Sequence, residues 1–348
     1  MRRLPVFFVL DCSESMAGSK LEQMEAGIHA IIRALRTDPH ALETVWVSII
    51  AFAGIAKTVV PLIDVSLFYP PKLPLGGGTH LGKALDALMQ EIDRSVKRST
   101  PDQKGDWQPI IYLFTDGRPT DNSSAAIQRW QAQYARRATL MAVGLGQSAD
   151  YAVLRQLTEQ TMAFDGLNEE DFAQFIRWVS GSVLARSQSV GDAHKKDIEP
   201  PLSSGRLSLV KDAPLLSTDE TSVTLVGRCS RSRKPYLMKY EQIAADKLPS
   251  EFRRANHLYH LVGGYRLDED YFRWSDPNEK NALNISTSQL LGVPPCPQCG
   301  NASAFAACQC GQLLCINEMG TVTCPWCNRQ LHFEQSDGQD FDVTRGQG

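Results

Sequence analysis

Two sets of side chains in this sequence could do chemistry, and they call for different partners. The first set is oxygen. Asp11, Ser13 and Ser15 occupy alternate positions, Thr79 follows a run of three glycines, and Asp116 stands between Thr115 and Gly117. Two carboxylates and three hydroxyls form a hard donor set, suited to a divalent cation such as Mg2+, or to Mn2+ or Ca2+, and unsuited to zinc. The second set is sulfur. Of nine cysteines, seven fall in one block: Cys296, Cys299, Cys308, Cys310, Cys315, Cys324 and Cys327. Cys296-Pro-Gln-Cys299 and Cys324-Pro-Trp-Cys327 are Cys-x-x-Cys knuckles. Two such knuckles supply the four thiolates that tetrahedral Zn2+ accepts.

The thiolate count leaves the pairing open. Seven sulfurs fill one site and leave three over. With His332 as an eighth ligand two zincs are accommodated; otherwise some of the block is packed thiol around one zinc. One arrangement joins Cys296 and Cys299 to Cys324 and Cys327, and another sends Cys308 and Cys310 to the last knuckle. An odd local count with close pairs and no secretory signal argues against a disulfide framework. Cys12 and Cys229 stand outside the block, and Cys12 reads as a packing residue.

Catalysis fits these residues poorly. Asp11 and Asp116 could form an acid–base pair, or Mg2+ could assist phosphoryl transfer. Yet the chain lacks the Gly-x-x-x-x-Gly-Lys-Ser/Thr loop that cradles nucleotide phosphates, and no Ser-His-Asp set is visible. His80, beside Thr79, reads as a solvated loop residue. The oxygen set therefore reads as a binding site, and the protein as a non-enzyme.

The elements that position the oxygen set follow from hydrophobic period. Val6–Leu10 is a short apolar run suited to a strand buried on both faces. Leu21, Met24, Ile28, Ile31, Ile32 and Leu35 recur at helical spacing. Val45–Phe52 and Thr58–Leu62 read as a hairpin, Leu81–Ile92 as a helix, and Ile110–Phe114 as a second buried strand. Further helix and strand patterns continue to a last helix over about 169–185. Such alternation predicts an α/β doubly wound, mostly parallel sheet over residues 1–188. Asp11, Thr79 and Asp116 then fall in loops at the crevice outside the strands' carboxyl ends, where such sheets bind ligands.

Residues 189–206 dissolve into Ser, Gly, Lys, Asp and Pro, which predicts a linker. A smaller β-rich unit is expected over 207–335, with the cysteine-rich end at 291–335 and a flexible tail at 336–348. Within it, Ser222–Arg228 and Tyr236–Tyr240 read as a hairpin around a basic loop, and 250–262 as a helix. At 348 residues the chain is long enough for two or three domains, and 43% hydrophobic with 22% charged is globular composition. A net charge of −3 provides no general basic field for nucleic acid. No apolar run is long enough for a membrane helix. Asp11 interrupts the apolar start that would otherwise look like a signal peptide, so a cytoplasmic location is expected.

Asp11-x-Ser13-x-Ser15, Thr79 and Asp116-Gly117 together resemble the metal-ion-dependent adhesion site of von Willebrand factor A domains. With the variant Asp116-Gly-x-Pro119-Thr120-Asp121 and the later cysteine series, the chain is similar to TerY-like proteins of bacterial tellurite-resistance systems, which end in a TerY C-terminal metal-binding domain. The resemblance implies a stress-response component working beside a Ser/Thr kinase and a PP2C-type phosphatase, with a partner's acidic group completing the cation's shell. Two other readings start from the cysteines. A RING-like ubiquitin-ligase module needs eight ligands in four pairs, and the partner expected beside Cys315 is absent. A zinc-ribbon nucleic-acid binder would use Arg228, Arg231, Arg233 and Lys234, with Tyr236 and Tyr240 nearby, although solvated basic turns are common.

Overall fold

The structure, a computed structural model, describes residues 2–146, 149–164, 169–188, 207–210, 221–243, 258–277, 284–317, 320–333 and 340–346. The chain divides into two compact units, one of Met1–Pro74 and Thr79–Ser217 and one of Leu75–Gly78 and Thr218–Gly348.

The first unit runs β1 (Leu4–Asp11), α1 (Ser19–Thr37), α2 (Pro39–Thr44), β2 (Val45–Phe52), β3 (Ala56–Asp64), α3 (Leu81–Ser95), β4 (Ile110–Thr115), α4 (Ser124–Gln133), β5 (Thr139–Leu145), α5 (Tyr151–Leu157), β6 (Thr161–Phe164), α6 (Glu169–Gln188) and β7 (Leu207–Leu209). Its seven strands lie in the order β3-β2-β1-β4-β5-β6-β7, parallel except for the two edge strands. All eight residues of β1 are buried, as a strand covered on both faces requires. Phe7 and Val9 pack with Leu85, Leu88, Ile111 and Trp130 on one face. On the other, Phe8 stacks on Tyr112, which meets Trp178 edge-on. Each such fully buried large apolar side chain contributes about 1.5–3 kcal/mol of transfer free energy.

Chain direction matters most at β1. From β1 the chain steps outward to β2 and β3, then returns through α3 to β4 on the opposite side of β1. The order therefore reverses between β1 and β4, and the crevice that reversal opens lies at their carboxyl ends, beside Asp11 and Asp116.

The second unit runs β8 (Ser222–Arg228), β9 (Pro235–Gln242), β10 (Tyr259–Arg266), α7 (Asp270–Trp274), β11 (Asn284–Ser286), β12 (Leu290–Leu291), β13 (Ser303–Ala307), β14 (Leu313–Ile316), β15 (Gly320–Thr323), β16 (Gln330–Phe333) and β17 (Asp342–Thr344). Six strands form one sheet in the order β12-β10-β9-β8-β14-β13, and β11-β17 and β15-β16 form two small ribbons.

Several sequence expectations are corrected here. The second unit does not begin at 207, because β7 pairs antiparallel with β6 and closes the first sheet. The helix expected over 250–262 lies partly outside the described residues, and its described end enters β10, antiparallel to β9. Aromatic Tyr259 and the pair Gly263-Gly264 disfavour helix there, and the β9 edge offers a ladder instead. The tail expected at 336–348 contains β17, held by β11, with Val343 buried. The linker expected at 189–206 lies outside the described residues.

Candidate metal centres

Asp11 ends β1, and the turn that follows it is hydrogen-bonded inward. The Ser13 N–H donates to Asp11 Oδ1 at 2.9 Å, and the hydroxyls of Ser13 and Ser15 lie 3.0 Å apart. Ser15 Oγ donates to Asp116 Oδ1 at 2.6 Å, joining the β1 loop to the end of β4. Thr115 Oγ1 donates to Asp11 Oδ2 at 2.5 Å, and Lys20 Nζ donates to Asp116 Oδ2 at 2.5 Å. Asp11, Ser13, Ser15, Thr79 and Asp116 are all buried. The five oxygen ligands predicted from sequence are thus brought to one crevice by three loops.

Thr79 is fixed from outside the ligand set. Its N–H donates to Thr120 Oγ1, and its carbonyl accepts the Thr120 N–H, each at 2.9 Å. Asp121 accepts the N–H groups of Gly82 and Lys83, both at 3.2 Å, and so satisfies two orphan donors at the start of α3. With its backbone held, Thr79 Oγ1 is buried and has no hydrogen-bond partner. Gly117 lies against it: a Cβ there would stand 3.3 Å from Thr79 Oγ1 and 3.9 Å from Ser15 Oγ. An orphaned buried hydroxyl, a cradle that a methyl would narrow and two facing carboxylates fit a small hard cation.

The carboxylates register the cost of their closeness. Burial, reinforced by the charge of Asp116, pushes Asp11 up to about 7. His80 is buried at the start of α3, its N–H on the Ala53 carbonyl, so the sequence reading of a solvated residue is corrected. Cys12 is also buried, and burial holds its thiol well above the ordinary value.

In the second unit the cysteines form two tetrads. One is Cys229, Cys296, Cys299 and Cys315; the other is Cys308, Cys310, Cys324 and Cys327. Within each, all Sγ atoms lie within 4.8 Å of one another. The Cys299–Cys315, Cys308–Cys327 and Cys310–Cys324 sulfurs are 3.8, 3.7 and 3.9 Å apart. Four sulfurs each ~2.3 Å from a tetrahedral centre stand about 3.8 Å apart, whereas a disulfide needs ~2.05 Å. The cysteines are free thiols with the edge lengths of a tetrathiolate site.

A family model of the von Willebrand factor type A domain matches residues 6–177, and one of the TerY-C metal binding domain matches residues 219–348. The chain has the TerY-like architecture. Human inter-alpha-trypsin inhibitor heavy chain H6 is 24% identical over 165 residues, covering 44% of this chain and 12% of that protein, so this chain spans only a small part of its relative's length. Among solved structures, a von Willebrand factor type A protein from Catenulispora acidiphila is 17% identical over 53% of this chain and 43% of its own, with a TM-score of 0.41. Proximal thread matrix protein 1 from the mussel byssus, with a zinc-occupied metal-ion-dependent adhesion site, is 15% identical over 53% of this chain and 48% of its own, at a TM-score of 0.40.

The TerY-C domain corrects the cysteine reading in two ways. Cys229, set apart in sequence, is the missing fourth thiolate of the first tetrad, delivered by the turn after β8. His332 belongs to neither tetrad; its Nδ1 lies 3.3 Å from Thr321 Oγ1 across the β15–β16 ribbon. Of the two pairings open in the sequence, the structure brings Cys308 and Cys310 to the last knuckle.

Donors surround the first tetrad. The N–H of Ser230 and Asn301 Nδ2 point at Cys315 Sγ from 3.3 and 3.4 Å, and the Ser232 N–H points at Cys229 Sγ from 3.3 Å. Burial pushes Cys229 up, but hydrogen bonds from Ser232 and Arg231 outweigh it and bring the thiol down to about 7. In the second tetrad the Arg329 N–H brings Cys327 down to about 7.

Two of the four basic side chains of the hairpin turn are engaged within the domain. Arg228 lies between the rings of Phe272 and Trp326, 4.8 and 4.7 Å from their centroids, and makes two hydrogen bonds to Glu269. Arg233 bonds Asn328 and the Pro325 carbonyl. These two arginines hold the last knuckle in place, which removes them from the cationic face a nucleic-acid reading needs.

Two members of the oxygen site escaped sequence reasoning, Thr115 and Lys20. Thr115 was legible as the residue preceding Asp116 at a strand end. Nothing in the spacing of Lys20 marked it.

Proposed function

We propose that this protein is a cytoplasmic, non-enzymatic docking scaffold whose von Willebrand A domain engages a partner through a divalent cation and whose TerY-C domain is built around two zinc ions. The observation that carries the reading is the crevice of Asp11, Ser13, Ser15, Thr79 and Asp116, with its orphaned threonine hydroxyl. Mg2+, or Mn2+ or Ca2+, held there supplies a Lewis-acidic position toward which an acidic side chain of a partner is drawn. The chain's own residues orient the oxygens: Ser15 bridges to Asp116, Thr115 and the Ser13 N–H fix Asp11, and the loop carrying Thr120 and Asp121 holds Thr79. A site with only two carboxylates keeps the cation electrophilic.

Both matched domains are interaction and metal-binding modules, and no described helix is long and apolar enough to cross a membrane. The domain pair supports partners of the kind its resemblance implies, a Ser/Thr kinase and a PP2C-type phosphatase of a tellurite-resistance or stress-response system. The test is a pull-down from native extract, with Mg2+ or with EDTA, comparing the intact chain with an Asp11→Ala, Ser13→Ala form. Retention of a kinase or phosphatase by the intact chain in Mg2+ alone supports the reading. Equal capture by both forms overturns cation-dependent docking.

One observation favours a second reading. Along the chain the pairs alternate between tetrads: Cys296 and Cys299, then Cys308 and Cys310, then Cys315, then Cys324 and Cys327. From Cys296 onward that is the alternation of a RING-like cross-brace, with Cys229, far upstream, standing in for the partner absent beside Cys315. Ubiquitin-chain formation with purified activating and conjugating enzymes would favour that reading over a docking scaffold.

A further inference from the structure

Lys20 places a full positive charge on one of the oxygen site's carboxylates. Gly18 precedes α1 with φ +88° and ψ −136°, a conformation that L side chains rarely adopt. The helix starts immediately after, so Lys20 is its second residue, and its side chain reaches the end of β4. There Nζ lies 2.5 Å from Asp116 Oδ2; the lysine side chain is 34% exposed and the carboxylate fully buried.

Each oxygen of the two carboxylates has a donor from the chain, and the donors differ in kind. Asp11 takes a backbone N–H and the Thr115 hydroxyl, and Asp116 Oδ1 takes the Ser15 hydroxyl. These are neutral and orient the oxygens without cancelling their charge. Asp116 Oδ2 takes an ammonium. The two carboxylates alone carry −2, which a divalent cation would balance. With both carboxylates ionised, Lys20 brings these three groups to −1, and a bound divalent cation would bring them to +1.

We propose that Lys20 sets the charge of the cation site, holding divalent affinity below what the five oxygen ligands alone would give and leaving on the loaded site a positive charge for a partner's carboxylate to neutralise. This rests on the docking reading above. It assigns to a residue outside the ligand motif the coupling between cation and partner: neither the cation alone nor the carboxylate alone completes the charge balance. A lysine suits the task, being a compact point charge on a flexible stem, able to shift when a cation arrives without disturbing the strand ends.

The experiment is a Mn2+ titration of the full zinc-loaded chain, followed by electron paramagnetic resonance or calorimetry. It compares the wild type with Lys20→Met and Lys20→Arg, and repeats each titration with acetate as the carboxylate probe. Removing a full charge in contact with a ligand oxygen is expected to tighten Mn2+ binding by Lys20→Met about 10-fold or more. Lys20→Arg should stay near wild type. Acetate should tighten Mn2+ binding to the wild type and do so less for Lys20→Met. Circular dichroism and zinc content of the variants establish that they are folded. Equal Mn2+ affinity in wild type and Lys20→Met overturns the proposal and leaves the docking reading standing. Weaker binding by Lys20→Met also overturns it and makes Lys20 a residue that positions Asp116. Absence of Mn2+ binding in every form, wild type included, overturns the docking reading together with it.

Discussion

The oxygen site and the sulfur tetrads both gather buried ligands from separate loops, yet they stand in opposite relations to the fold around them. In the von Willebrand A domain the ligands sit at the rim of a sheet whose core is complete without them: Phe7, Val9, Ile111, Leu113 and Trp130 are buried among apolar neighbours. Each carboxylate is already met by donors from the chain, one of them a cation. In the TerY-C domain the ligands are the core. Cys229, Cys296 and Cys315 pack with Leu225, Tyr236 and Leu313, and Cys308 and Cys324 with Leu314. A domain whose ligands lie at its edge tolerates metal exchange, whereas one whose ligands fill its centre does not.

The largest effect should come from stripping metal. Structural zinc contributes apparent free energies of about 10–16 kcal/mol per site in small zinc domains. Removal of zinc under reducing conditions should therefore unfold the TerY-C domain, while EDTA at a concentration that removes only Mg2+ leaves the von Willebrand A domain folded. Domain-resolved hydrogen exchange measures both. Retention of TerY-C protection without zinc would break the contrast.

Next in size is the test of the distant thiolate. Cys229→Ser should lower zinc from two equivalents to about one and destabilise the TerY-C domain by several kcal/mol; Cys12→Ser should leave zinc unchanged. Elemental analysis and a thermal melt decide this.

For the oxygen site, Asp116→Ala should abolish Mn2+ binding yet lower the melting temperature in EDTA by only a few degrees. A titration paired with a melt reads both. A collapse of the fold would place this site in the same class as the tetrads.

The pH dependence sharpens the comparison further. Asp11 has its folded pKa raised to about 7, mainly by burial and then by Asp116. A raised carboxyl contributes stability that is present below its unfolded pKa and lost as pH rises through the folded value. The cation-free chain should therefore lose stability between about pH 4 and 7, and added Mg2+ should recover it. Divalent affinity should rise over the same window, because the cation displaces a proton. Melts at several pH values, with and without Mg2+, measure this.

The smallest effect belongs to the supporting loop. Asp121→Ala removes the acceptor at the start of α3 and should cost about 1 kcal/mol, with a few-fold loss of Mn2+ affinity through the loosened Thr79.

The oxygen site was almost wholly legible in the sequence because its ligands sit at strand ends, and strands buried on both faces announce themselves as continuous apolar runs. The apolar runs Val6–Leu10 and Ile110–Phe114 place Asp11 and Asp116 at strand ends from sequence alone. The hairpin of β2 and β3 was equally plain. The second unit was harder because its strands are short and its order is set by sulfur, which leaves no period to read. β10 illustrates the difficulty: its pattern of mixed burial, interrupted by a shift in register at Leu261 and Gly263, gives no clean alternation. Cys229 was missed because it stands alone, with no second ligand beside it to form a knuckle. The signal that could have found it was arithmetic, since seven thiolates in the block leave one place to fill. Lys20 had no signal of its own, because its role depends on the turn at Gly18.

The position of Cys229 also sets a schedule. It lies roughly seventy residues before Cys296, so closing the first tetrad brings together chain ends at a loop-closure entropy that grows with the logarithm of that span. The interleaved order keeps either tetrad from closing early: Cys315 completes one and Cys327 the other. A growing polypeptide thus holds incomplete thiolate clusters until Cys315 has been made, and zinc capture marks the completion of the cysteine series. A chain broken off before Cys315 finishes neither site and remains marked, by its exposed thiols, as unfinished.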